Sequence, residues 1–525
     1  MALGTAQLQQ RFDNPAAILG DRLREGSLYK LLADHGDVLF GDDYFADLYT
    51  GSPKGRPTVP ARVLATVMVL QAFEGLSDRE ACDRLEVDLR WQAAAGVDTG
   101  AVAFHPTVLP GARNRLRGSE RPRRIFDDTR TTARATGALR DRARVLDSTP
   151  VYDAVSTQDT VTQLRAAVRK LLIVLDRHHA DIATRVRGVL SRDDDYATPG
   201  KPPCDWDDPG AREALVDALV HDAFAALAVL DGETLSGAAR DAADLLALVA
   251  GQDVAEGDDG VFRIVRGVAR DRVISTVDTE ARHGHKSRNR HFDGYKAHLS
   301  VDPDSELIDQ VAVTAANTPD RDAVDELLAP VAGLDDKPVV VGDSAYADGA
   351  TREHLDGQGV ELVAKCPPVR NSTGGFTKDQ FSVDLDDATV TCPAGHTVAI
   401  RLSPRGGEGK ASFKPHCGHC PLRDQCTPSH RGRTVTIGEH EALLQAARAA
   451  QATPEWAERY RADRPTVERK ISHFVRRPWG GRKARVRGRG RVLTDALTRA
   501  AAVNLARLAT LGLTHDGRTW AITAS

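Results

Sequence analysis

The sequence predicts an α/β protein, in which a mixed sheet carries acidic side chains at its strand ends and is interrupted and flanked by helical segments. Three observations predict it. Apolar runs such as Lys337 to Gly342 end directly in an acid, here Asp343, as strands buried on both faces do. Long stretches with apolar residues three and four apart lie between and after these runs. A loop-rich interval, 371–435, holds four of the seven cysteines.

At 525 residues the chain is long enough for about three to four domains. Hydrophobic residues at 41% and charged residues at 27% leave ample material for a core and exclude the disordered, collagenous and disulfide-scaffold classes. No run reaches the ~18 apolar residues of a membrane span. Met1 to Thr5 lacks a basic region leading into an apolar one, so secretion is not expected and the expected location is cytoplasmic. The net charge of −4 is uninformative, but its distribution is not. Arg464 to Arg491 holds eleven Lys or Arg against the single acid Glu468, and Gly111 to Arg144 holds eleven Arg against four acids. Such blocks point to a polyanion met at particular places, or to solvated helical faces.

Taken in order, residues 1 to about 144 read as helical. Val63 to Phe73 is an apolar helix ended near Gly75, and Ser77-Asp78-Arg79-Glu80 fits a capping box that starts the next. Helix, short turn and helix are compatible with a helix-turn-helix or with any bundle. Arg144 to Ser148 is a short strand carrying Asp147. From about 158 to 250 the pattern is long helices, with Leu164, Val168, Leu171 and Leu175 on one face. Gly294 to Val301 and Leu307 to Thr314 form a hairpin around Asp302-Pro303-Asp304-Ser305. Asp320 to Leu328 is a helix, Lys337 to Gly342 a strand, Thr351 to Leu355 a helix and Val360 to Ala364 a strand. Helices return at Glu441 to Ala450, Pro454 to Phe474 and Thr494 to Leu511.

Three carboxylates stand out: Asp147 and Asp343 at strand ends, and Glu468 alone among basic residues. Glu468 either neutralises its neighbours or binds a cation beside a phosphate backbone. Three acids converging on an RNase-H-like sheet would hold two divalent ions about 4 Å apart for an in-line phosphoryl displacement. Mg²⁺ or Mn²⁺ suits this work, because few carboxylates are needed and water and phosphate oxygens complete the shell. Arg464 lies four residues before Glu468, on the same helical face. Lys286, Lys296 and His298 read either as phosphate contacts near the acids or as a solvated sheet edge.

Cys392, Cys417, Cys420 and Cys426 form a second constellation, and four thiolates satisfy tetrahedral zinc. The alternatives are reduced, unligated cysteines, or substitution by His396, His416 or His419. Cys82, Cys204 and Cys366 read as core or inert residues.

Six motifs in order then resemble the DDE transposases of bacterial insertion sequences, most closely the family numbered eleven-eighty-two. They are Gly55-Arg56-Pro57 through Ser77-Asp78-Arg79-Glu80 to Arg113-Asn114-Arg115-Leu116; Val145-Leu146-Asp147-Ser148-Thr149; His283-Gly284-His285-Lys286-Ser287; Gly294-Tyr295-Lys296-Ala297-His298 with Thr314-Ala315-Ala316-Asn317; Gly342-Asp343-Ser344-Ala345-Tyr346; and Arg464-Pro465-Thr466-Val467-Glu468.

The resemblance implies that Asp147, Asp343 and Glu468 are the catalytic, Mg²⁺-binding triad. It implies that Tyr460, Arg464 and Glu468 form a tyrosine-arginine-glutamate helix, with ordinary packing as the other reading of Tyr460. DNA contacts are expected from Tyr460, Arg464, Lys296, Arg476, Arg477, Arg482, Lys483 and Arg485. The chain departs from the pattern in the four-residue gap from Tyr460 to Arg464, in Val475 where a lysine is usual, and in Ala345 where a glycine often sits. The expected partners are double-stranded DNA, as terminal inverted repeats and target, and a second copy of the chain when DNA ends are held. A bacterial, nucleoid-associated protein follows from the same resemblance.

The expected organisation is a helical DNA-binding domain over 1–143 and an RNase-H-like core over 144–370, with a helical insertion at about 150–265. A cysteine-rich, zinc-binding insertion over 371–435 and a second part of the core with basic helices over 436–525 complete it. The expected reaction is metal-dependent cleavage at element ends followed by 3′-hydroxyl strand transfer. A structure-specific nuclease and a catalytically silent DNA-binding regulator are the alternatives.

Overall fold

The computed structural model describes residues 14–49, 58–100, 103–267, 269–287, 289–331, 337–371, 373–403, 407–476 and 481–523. Gly55-Arg56-Pro57 of the first motif and Arg477 lie outside the described residues.

The central layer is a six-stranded mixed sheet built from β1 (Ala143–Tyr152), β2 (Arg282–Ser287), β3 (Arg290–Val301), β4 (Ile308–Ala315), β5 (Val339–Gly342) and β6 (Glu361–Ala364). β1 lies in the middle. β3 runs antiparallel to it, with Asp147 opposite Leu299, and β5 runs parallel on the other side, with Val145 opposite Val341. β6 continues the parallel half. β2 and β4 share the far edge of β3, β2 along its start and β4 along its end. This order, with an antiparallel half and a parallel half meeting at β1, is the expected RNase-H-like core.

β1 is longer than the Arg144 to Ser148 run suggests, because β3 pairs with it as far as Tyr152, whereas β5 pairs with it only over Ala143–Val145. Beyond that point the β5 side of β1 is open. Tyr152 directs its N–H to that side, to the carbonyl of Arg482 at 2.6 Å. Pro150, two residues earlier, would have aimed its missing N–H the same way, so no ladder bond is lost. Gly294 explains its own motif: φ is +133°, and a Cβ there would stand 2.4 Å from the Val151 carbonyl oxygen on β1.

One face of the sheet is covered by helices drawn from both ends of the chain. Ala61–Glu74 is buried on all sides from Ala61 to Gln71. Beside it Ser77 and Glu80 form the expected capping box. The Arg489–Thr510 helix packs against Ala61–Glu74, Arg124–Ala135 and β4, in one apolar core. Its buried Asn504 accepts from Ile308 N and donates to Ile308 O, both at 2.8 Å, and so completes the backbone bonding of β4. The arginine block of 111–144 turns largely inward. Arg130, Arg134 and Arg144 converge on the buried Asp309 at 3.0, 2.9 and 2.8 Å, Arg124 pairs with Asp47 and Arg113 with Asp78.

Between β1 and β2 stand the helices Thr160–His178, Ala180–Val189, Pro209–Leu230 and Gly237–Gln252, around a separate apolar core. Between β6 and the next long helix lie two three-stranded sheets and two single-turn helices, Lys414–Cys417 and Arg423–Cys426, around a small core of their own. The long helix Pro454–Val475 then crosses β1, β3, β5 and β6. Among the described residues no helix is long and apolar enough to cross a membrane.

Candidate active site

A cleft of about 680 Å³ opens where β5 ends alongside the middle of β1, beneath the Pro454–Val475 helix. Asp147, Asp343 and Glu468 all line it. Each arrives by a local cause. Asp147 sits on the stretch of β1 that has outrun β5. Asp343 ends β5 and caps the single turn that follows, its Oδ1 accepting from Ala345 N at 2.9 Å. Glu468 lies on the cleft side of its helix and is 62% exposed.

Arg464 stands among these acids. Its Nη2 is 3.0 Å from Asp147 Oδ2, its Nε 3.9 Å from Glu468 Oε1, and its Nη1 donates to the Leu146 carbonyl at 3.3 Å. Pro465 follows directly and removes one backbone donor from the helix at this point. Burial pushes the Asp147 carboxyl above the usual aspartate value. The Arg464 charge and the Ser148 N–H oppose that rise, and the Asp343 charge adds to it. Burial works against the Arg464 cation too, and the attraction of Asp147 and Asp343 outweighs it. The donor set is hard and anionic, which suits a divalent cation such as Mg²⁺, and a guanidinium holds the positive charge among the acids. Among the described residues, no three or more His, Cys, Asp or Glu side chains are drawn together in a metal-holding arrangement.

The other expected residues divide into three groups. Lys296, Lys286 and Arg482 line the same cleft. Tyr460 lies outside its lining, stacked on Trp456 at 4.9 Å between centroids, with the Lys365 ammonium 5.1 Å from its ring centre. Arg476 lines a different groove, Lys483 is exposed and bridges by its backbone to Tyr152, and Arg485 hydrogen-bonds the Leu76 carbonyl beside the N-terminal helices.

One cleft group escaped the sequence reading. Asp320 lines the cleft and binds Lys296 and Ser148. The fully buried Tyr346 shares a 3.1 Å hydrogen bond with His298. The only signal for Asp320 was its place three residues after Asn317, where it read as a helix start.

The four clustered cysteines line one small cavity of about 20 Å³ with His396 and His416. All are free thiols, and Cys417 and Cys426 are buried. Burial pushes the Cys426 thiol up; Arg433 opposes this, and Cys417, Cys420 and Cys392 add to it. A backbone N–H, from Arg433, reaches Cys417 Sγ at 3.4 Å. Soft thiols are the donor type zinc takes, but among the described residues the four are not drawn together into a metal-holding arrangement.

Fold and cleft together define an RNase-H-like α/β protein with one carboxylate midway along the central strand, a second at the end of the adjacent parallel strand and a third on the helix above them. The model of the transposase DDE domain matches residues 391–509, and the model of the transposase domain DUF772 matches residues 18–115. These matches imply a transposase and are consistent with the DDE type of insertion sequences. No curated protein and no solved structure matches the chain.

Proposed function

We propose that this transposase cuts the ends of its mobile element by metal-dependent hydrolysis and then joins the freed 3′-hydroxyl to target DNA. The observation that carries this reading is that Asp147, Asp343 and Glu468, far apart in the chain, line one cleft. These three would hold the divalent cation, which when bound supplies activation of the attacking oxygen and stabilisation of the leaving oxygen. The chain's own part is to bind and orient. Arg464, released from Asp147, would hold a phosphate bidentately, and Lys296 and Arg482 would contact the same backbone. Tyr460, Arg476, Arg477 and Lys483 would extend the DNA path along the helix and the segment after it, and Arg485 would brace that segment on the N-terminal helices. Neither reaction needs a covalent protein intermediate, so no serine or tyrosine nucleophile is required. Zinc at Cys392, Cys417, Cys420 and Cys426 would be structural. Two DNA ends must be held together, so a dimer or larger assembly forms on DNA.

The test is a strand-transfer assay with pre-cut element-end DNA and supercoiled plasmid, in Mg²⁺ or Mn²⁺. Asp147→Asn, Asp343→Asn and Glu468→Gln are each expected to abolish joining while DNA binding persists. Cleavage without joining would make the protein a nuclease. Binding without any metal-dependent product, in wild type as in the variants, would leave only a DNA-binding regulator.

A further inference from the structure

The cleft holds a fourth carboxylate that the proposed chemistry leaves unused. Asp320 opens the turn after β4, and its side chain is only 11% exposed. Both oxygens are engaged: Oδ1 is 2.6 Å from Lys296 Nζ, and Oδ2 accepts from Ser148 Oγ at 2.6 Å. Lys296 Nζ also donates to the Thr318 carbonyl at 2.7 Å. An ammonium has three protons in all. Two are directed at Asp320 and Thr318, which leaves one for the cleft that Lys296 lines. Ser148 is the neighbour of Asp147 on β1, and Lys296 is on the adjacent strand, opposite Pro150. Asp320 therefore ties the strand bearing the first acid to a cation held at one place beside it.

The arrangement decides between two roles for Asp320. As a metal ligand Asp320 would have to give up the Lys296 ammonium; as an anchor it keeps both of its bonds, to Lys296 Nζ and from Ser148 Oγ, as they stand. Burial raises the Asp320 carboxyl, and the Lys296 ammonium and the Ser148 hydroxyl bring it below its ordinary value, so it stays an anion; His298, whose own value burial pushes down to about 4, is neutral at neutral pH. An anion that held no lysine would repel a phosphodiester already facing Asp147, Asp343 and Glu468.

We propose that Asp320, itself held by Ser148, is a positioning residue that clamps Lys296 together with the Thr318 carbonyl, so that the remaining N–H of Lys296 meets a phosphodiester oxygen of the DNA strand in the cleft. This rests on the reading of the cleft as a DNA site, and deepens it.

The test uses the full chain, a duplex carrying one element end, and the variants Asp320→Asn, Asp320→Glu, Lys296→Ala and the double Asp320→Asn/Lys296→Ala. Asp320→Asn is expected to raise KM for DNA about tenfold, the loss of one charge-assisted hydrogen bond, with a smaller fall in kcat. Asp320→Glu is expected to recover part of the loss. The double variant is expected to be no worse than Lys296→Ala alone, because the two act as a unit. The salt slope of equilibrium DNA binding is expected to fall by about one in Asp320→Asn and in Lys296→Ala. Mn²⁺ affinity, read by electron paramagnetic resonance, is expected to stay unchanged. A wild-type KM in Asp320→Asn, additive losses in the double variant, or a tenfold fall in Mn²⁺ affinity would overturn the clamp. Should Asp320→Asn fail to fold, Ser148→Ala, which removes one of the two ties on Asp320, is judged by the same measures. If the wild type joins no DNA but both slopes fall by one, the catalytic reading fails and the clamp stands.

Discussion

Two segments interrupt the core, one between the strands β1 and β2 and one between the last strand β6 and the helix above the sheet, and they are built in opposite ways. The helices of 160–252 surround a core of leucine, valine and alanine, with Leu164, Leu171, Leu175, Leu219 and Leu246 fully buried or nearly so. The segment around 373–437 closes on a few residues, chiefly Phe381, Val390, Ala411, Phe413, Val435 and Ile437. Small units bury too little surface to offset the entropy of ordering their loops. The first segment solves this with apolar volume. The second places four thiols around one small cavity, the usual resort of a unit that lacks a core. The lesson is that a cysteine cluster is best read against the size of the core beside it.

The strongest way to break this comparison is to remove the proposed metal. Purified protein is expected to carry about one zinc per chain, a contribution on the order of 10 kcal/mol. Cys417→Ser with Cys420→Ser is expected to lose the zinc and open 371–435 to proteases, while 160–252 stays resistant. Unchanged zinc content and protection would show that the small core suffices. A smaller effect is expected from Leu171→Ala, about 2–5 kcal/mol. Hydrogen exchange is expected to accelerate through 160–252 alone, and equal acceleration in the cysteine segment would show that the two unfold as one unit.

The smallest effect sharpens the comparison by addressing the sheet between them, which relies on neither device. Glu306 joins the β3–β4 turn to Lys470 at 2.9 Å and Arg469 at 2.7 Å. Burial raises its carboxyl, and the two cations outweigh that and bring it down to about 2. A depressed carboxyl contributes stability above its unfolded value, and that stability is lost as pH falls toward the folded value. Glu306→Gln is therefore expected to cost about 2 kcal/mol at neutral pH, and its melting curve should meet that of the wild type near pH 2. A constant gap across that range would remove the ion pair as the cause.

How much of this was legible depended on range. The strand end at Asp343, the capping box at Ser77 and Glu80, the turn after Val301 and the helix bearing Arg464 and Glu468 were all readable, since each follows from neighbours within a few residues; the strand through Asp147 was readable but not its length, which runs on to Tyr152. The basic blocks were legible as charge but not as direction. Arg130, Arg134 and Arg144 find Asp309 more than 160 residues away, and composition cannot report that.

The amino-acid order alone settles the periodicities, the caps and the acid at a strand end, because those rest on local sterics and on hydrogen bonds within one or two turns. Folding in three dimensions settles the rest. It selects which charges meet, brings Asp320 to Lys296 and Ser148, fits Asn504 to the edge of β4, and requires glycine at 294 because β1 passes there. Each of these depends on chain segments that approach only when the sheet closes, and no spacing along the sequence encodes that approach.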